Sequence, residues 1–349
     1  MMYASRLLSI FLFVVLISYG LYYTAEQITT VTLPTADDDT LLFSNQSRDD
    51  LTKVYLQSID SAKHSILLLI YNLSDPSITH ALRQKAEEGL NVTVICDGKA
   101  SSKAKKYLGS HVKVYQRHDK GLMHLKILVV DEDLVVLGSA NLSKHSLRIH
   151  GNLIMAFNSK EMASFVQERS KEVAIGINNF AQSHKEFEIG TQRVELWFLP
   201  NQRQAIDRII NLIDQAKRTI KIAMFTWTRR DFAEAVVRST LRGLNVEVII
   251  DRDSTKSASK KIARYLYREN VPTYINTTQG LLHHKFVVID DSICVNGSAN
   301  WTKAAFTKNN DCFVVLHHLT KQQLSVINSM WKTIQNESRP FKPRHLPTS

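Results

Sequence analysis

One segment of this 349-residue chain occurs twice, and this internal repeat constrains the fold more than any other feature of the sequence. Residues 61 to 97 align without a gap with residues 215 to 251, and both stretches contain the sequence GLNV. Further on, residues 121 to 144 read GLMHLKILVVDEDLVVLGSANLSK and match residues 280 to 303, which read GLLHHKFVVIDDSICVNGSANWTK. Self-similarity of this extent indicates repeated structural units. The sequence therefore predicts two tandem copies of a single module.

The order of strands and helices within each copy predicts an α/β fold. Strands are predicted at 65 to 71 and 219 to 225, and each is followed by a helix, at 76 to 89 or 231 to 243, that ends at a glycine. The next strand reads VTVICD or VEVIID, an almost continuous apolar run that is typical of a strand covered on both faces. Alternating elements of this kind favour modules in which helices flank a sheet.

The repeat and its flanks divide the chain into three segments. Residues 1–25 form a hydrophobic leader, residues 40–185 the first module and residues 190–340 the second. The join near 180 to 192 is polar and contains Gly190, as expected for a connection between modules.

The leader is predicted to direct the protein to a membrane. Between Arg6 and Glu26 lie 19 residues without a formal charge, which is short but sufficient for an uncleaved N-terminal anchor. The alternative is a cleaved signal peptide, with Ser18 and Gly20 placed as in a cleavage site, and a buried core helix is a third interpretation. A basic residue before the segment and acidic residues after it predict that the catalytic part lies outside the cytoplasm, either membrane-anchored or secreted.

Both copies carry the same polar pattern, a His-x-Lys pair followed by an Asp and then by Gly-Ser-x-Asn. The members are His124, Lys126, Asp131, Gly138, Ser139 and Asn141 in the first copy and His283, Lys285, Asp290, Gly297, Ser298 and Asn300 in the second. On a strand, the histidine and the lysine of each pair project from the same side. Two modules that face each other would bring two histidines, two lysines and two asparagines to one pocket.

These residue types suit the transfer of a phosphoryl group. Lysine ammonium and asparagine amide groups bind the oxygens of a phosphate and stabilise charge that develops on it. One histidine can attack phosphorus, while the other protonates the leaving oxygen and then activates water. The sequence contains no HExxH or CxxC motif and no cluster of carboxylates beside the histidines, and the lysines would repel a divalent cation, so neither a metal nor another cofactor is expected.

The doubled pattern resembles that of the phospholipase D superfamily, and the resemblance covers roughly residues 40 to 335. It implies two phospholipase D-like modules, each a mixed β-sheet flanked by helices, related by a pseudo-twofold axis with the active site at their interface. It further implies a catalytic set and a phosphate-binding set. The catalytic set is His124, His283, Lys126, Lys285, Asp131, Asp290 and Asp311, and the phosphate contacts are Lys126, Lys285, Asn141, Asn300, Ser139 and Ser298. For Asp131 and Asp290 the residues themselves favour a structural role, because each begins a turn.

The two copies differ at one position. Many members of this superfamily carry a carboxylate eleven residues after the motif asparagine, where it orients a catalytic histidine; Asp311 occupies that position in the second copy and Asn152 in the first. The histidine beside Asp311 is expected to differ in basicity from the other. The resemblance favours His124 as the nucleophile and His283 as the acid, and Asn152 is expected to matter less if it is not coupled to the acid.

Several functions are compatible with these features. The family resemblance and the hydrophobic leader together favour metal-independent hydrolysis of phospholipid head-group diesters through a phosphohistidine. The expected partners are a phospholipid and a membrane surface. A net charge of +11 and the stretch 298 to 315, which resembles the nuclease and cardiolipin-hydrolase branch, support a nuclease acting on nucleic acid. Phosphatidyl transfer, as in cardiolipin synthesis, and a catalytically silent lipid-binding scaffold are further alternatives. A monomer would suffice for one active site.

Overall fold

Two mixed β-sheets organise the protein in a computed structural model that describes residues 31–177, 180, 182–200 and 202–343. Contacts between residues divide the chain into a leading unit, 1–33, and a body, 34–349, and both sheets belong to the body. None of the helices among the described residues is long and apolar enough to cross a membrane. The predicted leader, residues 1–25, lies outside the described residues and stays a prediction.

The first sheet contains seven strands in the order β1-β7-β6-β5-β2-β3-β4. Its strands are β1 Leu41–Ser44, β2 Ser65–Ile70, β3 Asn91–Asp97, β4 Lys113–Arg117, β5 Lys126–Val130, β6 Leu134–Gly138 and β7 Leu153–Asn158. Its helices are α1 Leu51–Asp60, α2 Pro76–Glu87, α3 Ala104–Leu108, α4 Lys144–Arg148 and α5 Lys160–Ala174, and a 3-10 turn covers Asn45–Ser47. Strands β2, β3 and β4 run parallel, whereas β2 pairs with β5 in antiparallel fashion.

The second sheet contains nine strands in the order β16-β12-β11-β10-β13-β14-β15-β9-β8. Its strands are β8 His184–Ile189, β9 Gln192–Leu199, β10 Thr219–Met224, β11 Asn245–Ile250, β12 Thr273–Asn276, β13 Lys285–Ile289, β14 Ile293–Gly297, β15 Asp311–His317 and β16 Ser338–Pro340. Its helices are α6 Gln202–Gln215, α7 Arg230–Leu241, α8 Arg252–Lys256, α9 Lys260–Arg268, α10 Lys303–Thr307 and α11 Lys321–Asn336. The segment predicted as a polar join contributes β8 to this sheet.

Local sequence accounts for the helix that follows the first strand of each copy. In the first copy, Asp75 accepts hydrogen bonds from the backbone N–H groups of Ser77 and Ile78, and Pro76 occupies the first turn of α2, where a missing N–H costs nothing. Shortly after the helix, Gly89 adopts a φ of +98°, and Gly243 adopts +84° after α7. These left-handed conformations favour glycine and end both helices where the repeat predicts.

A shared apolar core holds the two sheets together. Along β5, Ile127 and Val129 contribute to this core, and along β13 Phe286 and Val288 do the same. The alternate residues of β13 face a second core, beneath the helices of the second half. Because side chains alternate across a strand, each sheet is buried on both faces, which is why the strands read as continuous apolar runs. The predicted fold class, two α/β modules with mixed sheets flanked by helices, is confirmed.

Candidate active site

The two His-x-Lys pairs lie where β5 and β13 begin. Strand β5 starts at Lys126 and β13 at Lys285, so each histidine directly precedes its strand. His124 is 7% exposed and His283 is 6% exposed, and the lysines are buried more deeply. Such burial of two cations and two imidazoles needs an explanation from their partners.

The segments that precede the histidines form backbone hydrogen bonds with the opposite half of the protein. The backbone N–H of Asn310 donates to the carbonyl of Leu122 at 2.9 Å, and the N–H of Gly151 donates to the carbonyl of Leu281 at 2.9 Å. These are equivalent positions of the two copies, so the junction is made twice. The contact is close enough that an added Cβ at Gly121 would lie 2.0 Å from the carbonyl oxygen of Lys308. The glycine that opens each GLxH block therefore permits the docking of the two halves.

Each histidine is oriented by a residue from the opposite half. His124 donates from Nδ1 to Oδ1 of Asp311 at 2.7 Å. The Nδ1 of His283 lies 3.0 Å from Oδ1 of Asn152. The amide of Asn152 is itself fixed, because its Nδ2 donates to the carbonyl of Ser146 at 2.8 Å. Both rings thus carry their proton on Nδ1 and present Nε2 to the site.

Asn152 contacts the histidine proposed as the acid, so the condition under which Asn152 was expected to matter less is not met. Asn152 and Asp311 are both fully buried, and each contacts one motif histidine of the other half. The difference between the two pairs is their charge. A carboxylate stabilises a cationic ring, whereas an amide oxygen does so far less.

Ser139 and Ser298 were expected on phosphate, and the structure places them behind the histidine partners instead. The hydroxyl of Ser298 donates to Oδ1 of Asp311 at 2.7 Å, and the hydroxyl of Ser139 donates to Oδ1 of Asn152 at 2.8 Å. Both serines are fully buried. A hydroxyl has one proton, and once that proton is given to the carboxylate or amide none is left for a phosphate oxygen. This arrangement favours a positioning role for both serines.

Lys126 and Lys285 fold back on their own motifs. Each Nζ donates to the carbonyl of the histidine two residues earlier, at 2.7 Å in the first half and 2.6 Å in the second. Burial lowers the pKa of Lys126 to about 7, and burial together with the Lys126 ammonium lowers the pKa of Lys285. The site therefore concentrates positive charge that an entering anion would stabilise.

The histidines also have perturbed acidities. Burial and the neighbouring Lys126 ammonium lower the pKa of His124, although the Asp311 carboxylate opposes this effect. Burial and the two lysines lower the pKa of His283 well below its usual value. Among the described residues, no carboxylate bonds to this ring to oppose that effect; its Nδ1 contacts the amide of Asn152. Both imidazoles are neutral at rest near pH 7.

Asn141 and Asn300 follow β6 and β14 and are half-buried. Among the described protein groups, the side-chain carbonyl oxygen of each has no hydrogen-bond partner. This state is compatible with a polar pocket, and the assignment of both amides to phosphate stays a prediction.

Asp131 and Asp290 lie away from the site. Asp131 follows the far end of β5, seven residues beyond His124, which corresponds to about 23 Å along an extended chain. Its carboxylate accepts from the backbone N–H groups of Lys63, His64 and Ser65, and Asp290 accepts from Lys217, Arg218 and Thr219 in the same way. Although the family pattern placed both in the catalytic set, the structure shows that they tie the start of β2 or β10 to the turn after β5 or β13.

Sequence reasoning missed two pairs of residues near the histidines. Tyr71 and Phe225 pack on the imidazoles of His124 and His283, with ring centroids 4.9 and 5.0 Å apart. Asp97 and Asp251, the last residues of VTVICD and VEVIID, accept from the N–H of Met123 and of Leu282. Both pairs stand at the same offset in the repeat, and that equivalence was a signal available in the sequence.

The donor set does not favour a metal. Within the described part of the chain, His, Cys, Asp and Glu side chains form no group of three or more that could hold a metal ion. The groups that converge on the pocket are instead cationic or neutral donors, which suit an anionic ligand.

Comparison with known proteins points to one family. The family model described as "Cardiolipin synthase, PLD-like domain" matches residues 55–173 and 209–331. The mitochondrial cardiolipin hydrolase of Chlamydomonas reinhardtii is 31% identical over 112 residues, 32% of this chain and 50% of that protein. The enzyme of the same name from Xenopus tropicalis is 28% identical over 147 residues, 42% of this chain and 70% of that protein. The chain thus spans between half and about two thirds of these relatives.

One solved structure matches nearly the whole fold. The phosphatidylserine synthase of Haemophilus influenzae superposes with a TM-score of 0.70 at 14% identity, and the match covers 91% of each chain. At this identity the likeness concerns the fold alone.

Proposed function

The chain belongs to the phospholipase D superfamily, and on that premise we propose that it is a phosphodiesterase that hydrolyses phospholipid head-group diesters through a phosphohistidine intermediate. One observation carries this proposal. The two buried imidazoles are held by partners of different charge, His124 by a carboxylate and His283 by an amide. The pair is therefore suited to two different roles, a nucleophile and an acid.

The first step forms a bond between Nε2 of His124 and phosphorus. The bond from phosphorus to the head-group oxygen breaks, and that oxygen takes a proton from Nε2 of His283, whose ring is protonated once the anionic substrate has bound. The phosphorylated ring of His124 is cationic because Nδ1 keeps its proton, and the Asp311 carboxylate at 2.7 Å stabilises this charge. The amide partner leaves His283 the weaker base and thus the better acid.

The second step returns both rings to their starting state. Water attacks phosphorus, its proton passes to Nε2 of His283, and the bond from phosphorus to His124 breaks. The products are the phosphomonoester, phosphatidic acid for a phospholipid, and the free head group. Lys126 and Lys285 would turn from their backbone carbonyls to the phosphate oxygens and stabilise the charge of the pentacoordinate state without a metal.

Two observations favour phospholipid as the substrate. The relatives that match over part of the chain bear the name mitochondrial cardiolipin hydrolase, and the matching family is described by a cardiolipin synthase. The hydrophobic leader would hold the pocket beside a bilayer, with the catalytic part outside the cytoplasm. Nuclease activity is the second candidate, supported by the net charge of +11. Transfer to an alcohol in place of water is the third.

A side-by-side assay tests the proposal. The full chain is given phosphatidylcholine vesicles, cardiolipin-containing vesicles and single-stranded DNA, each with and without excess EDTA and each with added glycerol as a competing alcohol. We expect phosphatidic acid from vesicles, unchanged by EDTA. Preferred cleavage of DNA would assign a nuclease, a new phosphatidylglycerol product would assign a transferase, and loss of activity in EDTA that zinc or magnesium restores would contradict the metal-independent mechanism.

Variants at the histidines provide the control for this assay. His124→Ala and His283→Ala should each lower turnover by roughly 10²-fold or more, because the covalent step or the proton transfer fails. A phosphohistidine hydrolyses in acid, so the reaction is quenched in base, and peptide mapping should then locate the adduct. An adduct on His283 with His124 unmodified would invert the assignment.

A further inference from the structure

A row of three imidazoles leads from the buried site towards solvent. The ring centroids of His283 and His150 lie 6.2 Å apart, and those of His150 and His145 lie 6.3 Å apart. Exposure increases along this row: His283 is buried, His150 is half-buried and His145 is exposed. We call these three residues the histidine row.

The histidine row belongs to one half of the site. The residues of the second copy that correspond to His145 and His150, and would lie beside His124, are Ala304 and Asn309. Neither can carry a proton between partners at neutral pH. The asymmetry of the histidine partners, Asp311 against Asn152, is thus accompanied by a second asymmetry on the side of His283.

The local structure fixes the row in place. The N–H of His150 donates to the carbonyl of His145 at 3.0 Å, because both residues lie on α4 and the turn that follows it. The carbonyl of His150 accepts from Nδ2 of Asn45 at 2.5 Å and from Nδ2 of Asn152 at 3.2 Å. Asn152 also holds Nδ1 of His283. One amide therefore sets the positions of both His150 and His283.

The proposed function creates a need for such a row. His283 must hold a proton before it can protonate the leaving oxygen, yet burial and the adjacent lysines keep its ring neutral in the resting enzyme. Its Nδ1 is engaged with Asn152, so the proton must arrive at Nε2 of a ring that is only 6% exposed. Three titratable groups lie near the ring of His150, namely His145, His283 and Lys285.

We propose that His145 and His150 relay protons between solvent and His283. The inference rests on the proposed function, because it assigns to His283 the role of acid and base. Solvent protonates His145, a proton then passes to His150, and a proton passes from His150 to Nε2 of His283 when an anionic phosphate enters. Each donor ring returns to the neutral state, and the proton that the product monoester releases leaves in the reverse direction. The spacing of the rings accommodates one bridging water at each step.

The relay is tested with variants that copy the second half of the protein. His150→Asn and His145→Ala introduce the residues found at the equivalent positions, and His80→Asn, at an exposed position on α2, is the matched control. Turnover of phosphatidylcholine vesicles, whose leaving alcohol needs a proton, is measured at fixed pH and ionic strength over a series of imidazole concentrations. We expect His150→Asn to lower kcat about tenfold or more with KM unchanged, and free imidazole to restore it.

The controls separate a relay from other roles. 1,3-Dimethylimidazolium has the shape of imidazole and carries no exchangeable proton, so it should not restore kcat. A rise in KM without rescue would assign the histidine row to substrate binding, and an unrescued fall in kcat would assign it a structural role; both would overturn the relay. Wild-type inactivity, or an active His124→Ala variant, would instead contradict the proposed function.

A second measurement needs no turnover. Nitrogen NMR of the full chain saturated with inorganic phosphate reports how fast the ring proton of His283 exchanges with water. Exchange should slow in His150→Asn and stay unchanged in His80→Asn. Equal exchange rates in His150→Asn and the wild-type protein would overturn the relay whatever the diester assay shows.

Discussion

Asp311, the first residue of β15 in the second half, accepts a hydrogen bond from the ring of His124 in the first half at 2.7 Å. The equivalent bond in the other direction joins His283 to Asn152. Neither half contains a histidine together with its own partner. The proposed chemistry of the site therefore depends on the docking of the two modules, and the difference between a carboxylate and an amide is the basis of the roles that we propose for the two rings.

Exchange of the two partners should change catalysis in opposite ways. Asp311→Asn removes the charge that stabilises the phosphorylated ring, so we expect kcat to fall about 10²-fold. Asn152→Asp places a carboxylate on His283, raises the pKa of its ring and shifts the limb of the pH–kcat profile that reports this acid to higher pH. Stopped-flow rates over a pH series measure both effects. An Asp311→Asn enzyme with normal kcat would contradict the assignment of His124 as nucleophile.

Substrate affinity should depend on the protonation of the lysines. The ammonium form of Lys126 binds phosphate, and burial lowers its pKa to about 7, so the cation is present below that pH and is lost as the pH rises through it. We expect kcat/KM to fall above about pH 7, whereas kcat changes less because a bound phosphate favours the ammonium form. A flat kcat/KM profile up to pH 9, measured on the wild-type enzyme, would be incompatible with this role.

Ser298 offers a test that distinguishes orientation from phosphate binding. Because its hydroxyl donates to Asp311, Ser298→Ala should lower kcat about tenfold with KM unchanged. Steady-state kinetics separate the two constants, and Ser139→Ala is the matched variant in the other half. A rise in KM with kcat retained would show that Ser298 binds the phosphate and does not act through Asp311.

Asp131 should matter for stability and not for turnover. Asp131→Asn loses hydrogen bonds to the backbone N–H groups that open β2, so we expect the free energy of unfolding to fall by about 1–3 kcal/mol with kcat per folded molecule retained. Partial burial acts to raise the pKa of the Asp131 carboxyl, but the hydrogen bonds from these N–H groups hold that pKa below its usual value. The stabilisation is thus present above the ordinary pKa and lost as the pH falls through the lowered one. Denaturant unfolding of both proteins at pH 7 and pH 3 measures the difference, and loss of kcat would restore Asp131 to the catalytic set.

The glycine at the module junction provides a test of docking. Gly121→Ala forces a methyl group against the carbonyl of Lys308, so we expect a loss of about 1–3 kcal/mol in stability together with a loss of activity. Gly243→Ala is the control, because an added Cβ there meets nothing within 4 Å and the cost is confined to its positive φ. Thermal unfolding and kcat are measured on both. Full activity in Gly121→Ala would show that the site tolerates separation of the halves.

Much of the architecture could be predicted because it is local or repeated. Apolar runs bounded by a helix cap and a glycine predict β2, α2 and β3, and the repeat predicts their counterparts β10, α7 and β11. The offset between the copies also predicts that His124 and His283 are equivalent. For Asp131 and Asp290, turn chemistry predicts a structural role, whereas the family pattern placed both among the catalytic residues. The structure agrees with the prediction from turn chemistry.

The two modules, their common fold class and the polar residues that recur in both can be read from the sequence alone. The pairing of these residues is visible only in the folded protein: Asp311 contacts His124, Asn152 contacts His283, and the serines bond to Asp311 and Asn152. The physical reason is that strand and helix propensities act over a few neighbouring residues, whereas these hydrogen bonds join groups separated by 187 and 131 residues. Such contacts arise when two sheets bury a common core, and a pattern along one chain does not specify how they dock.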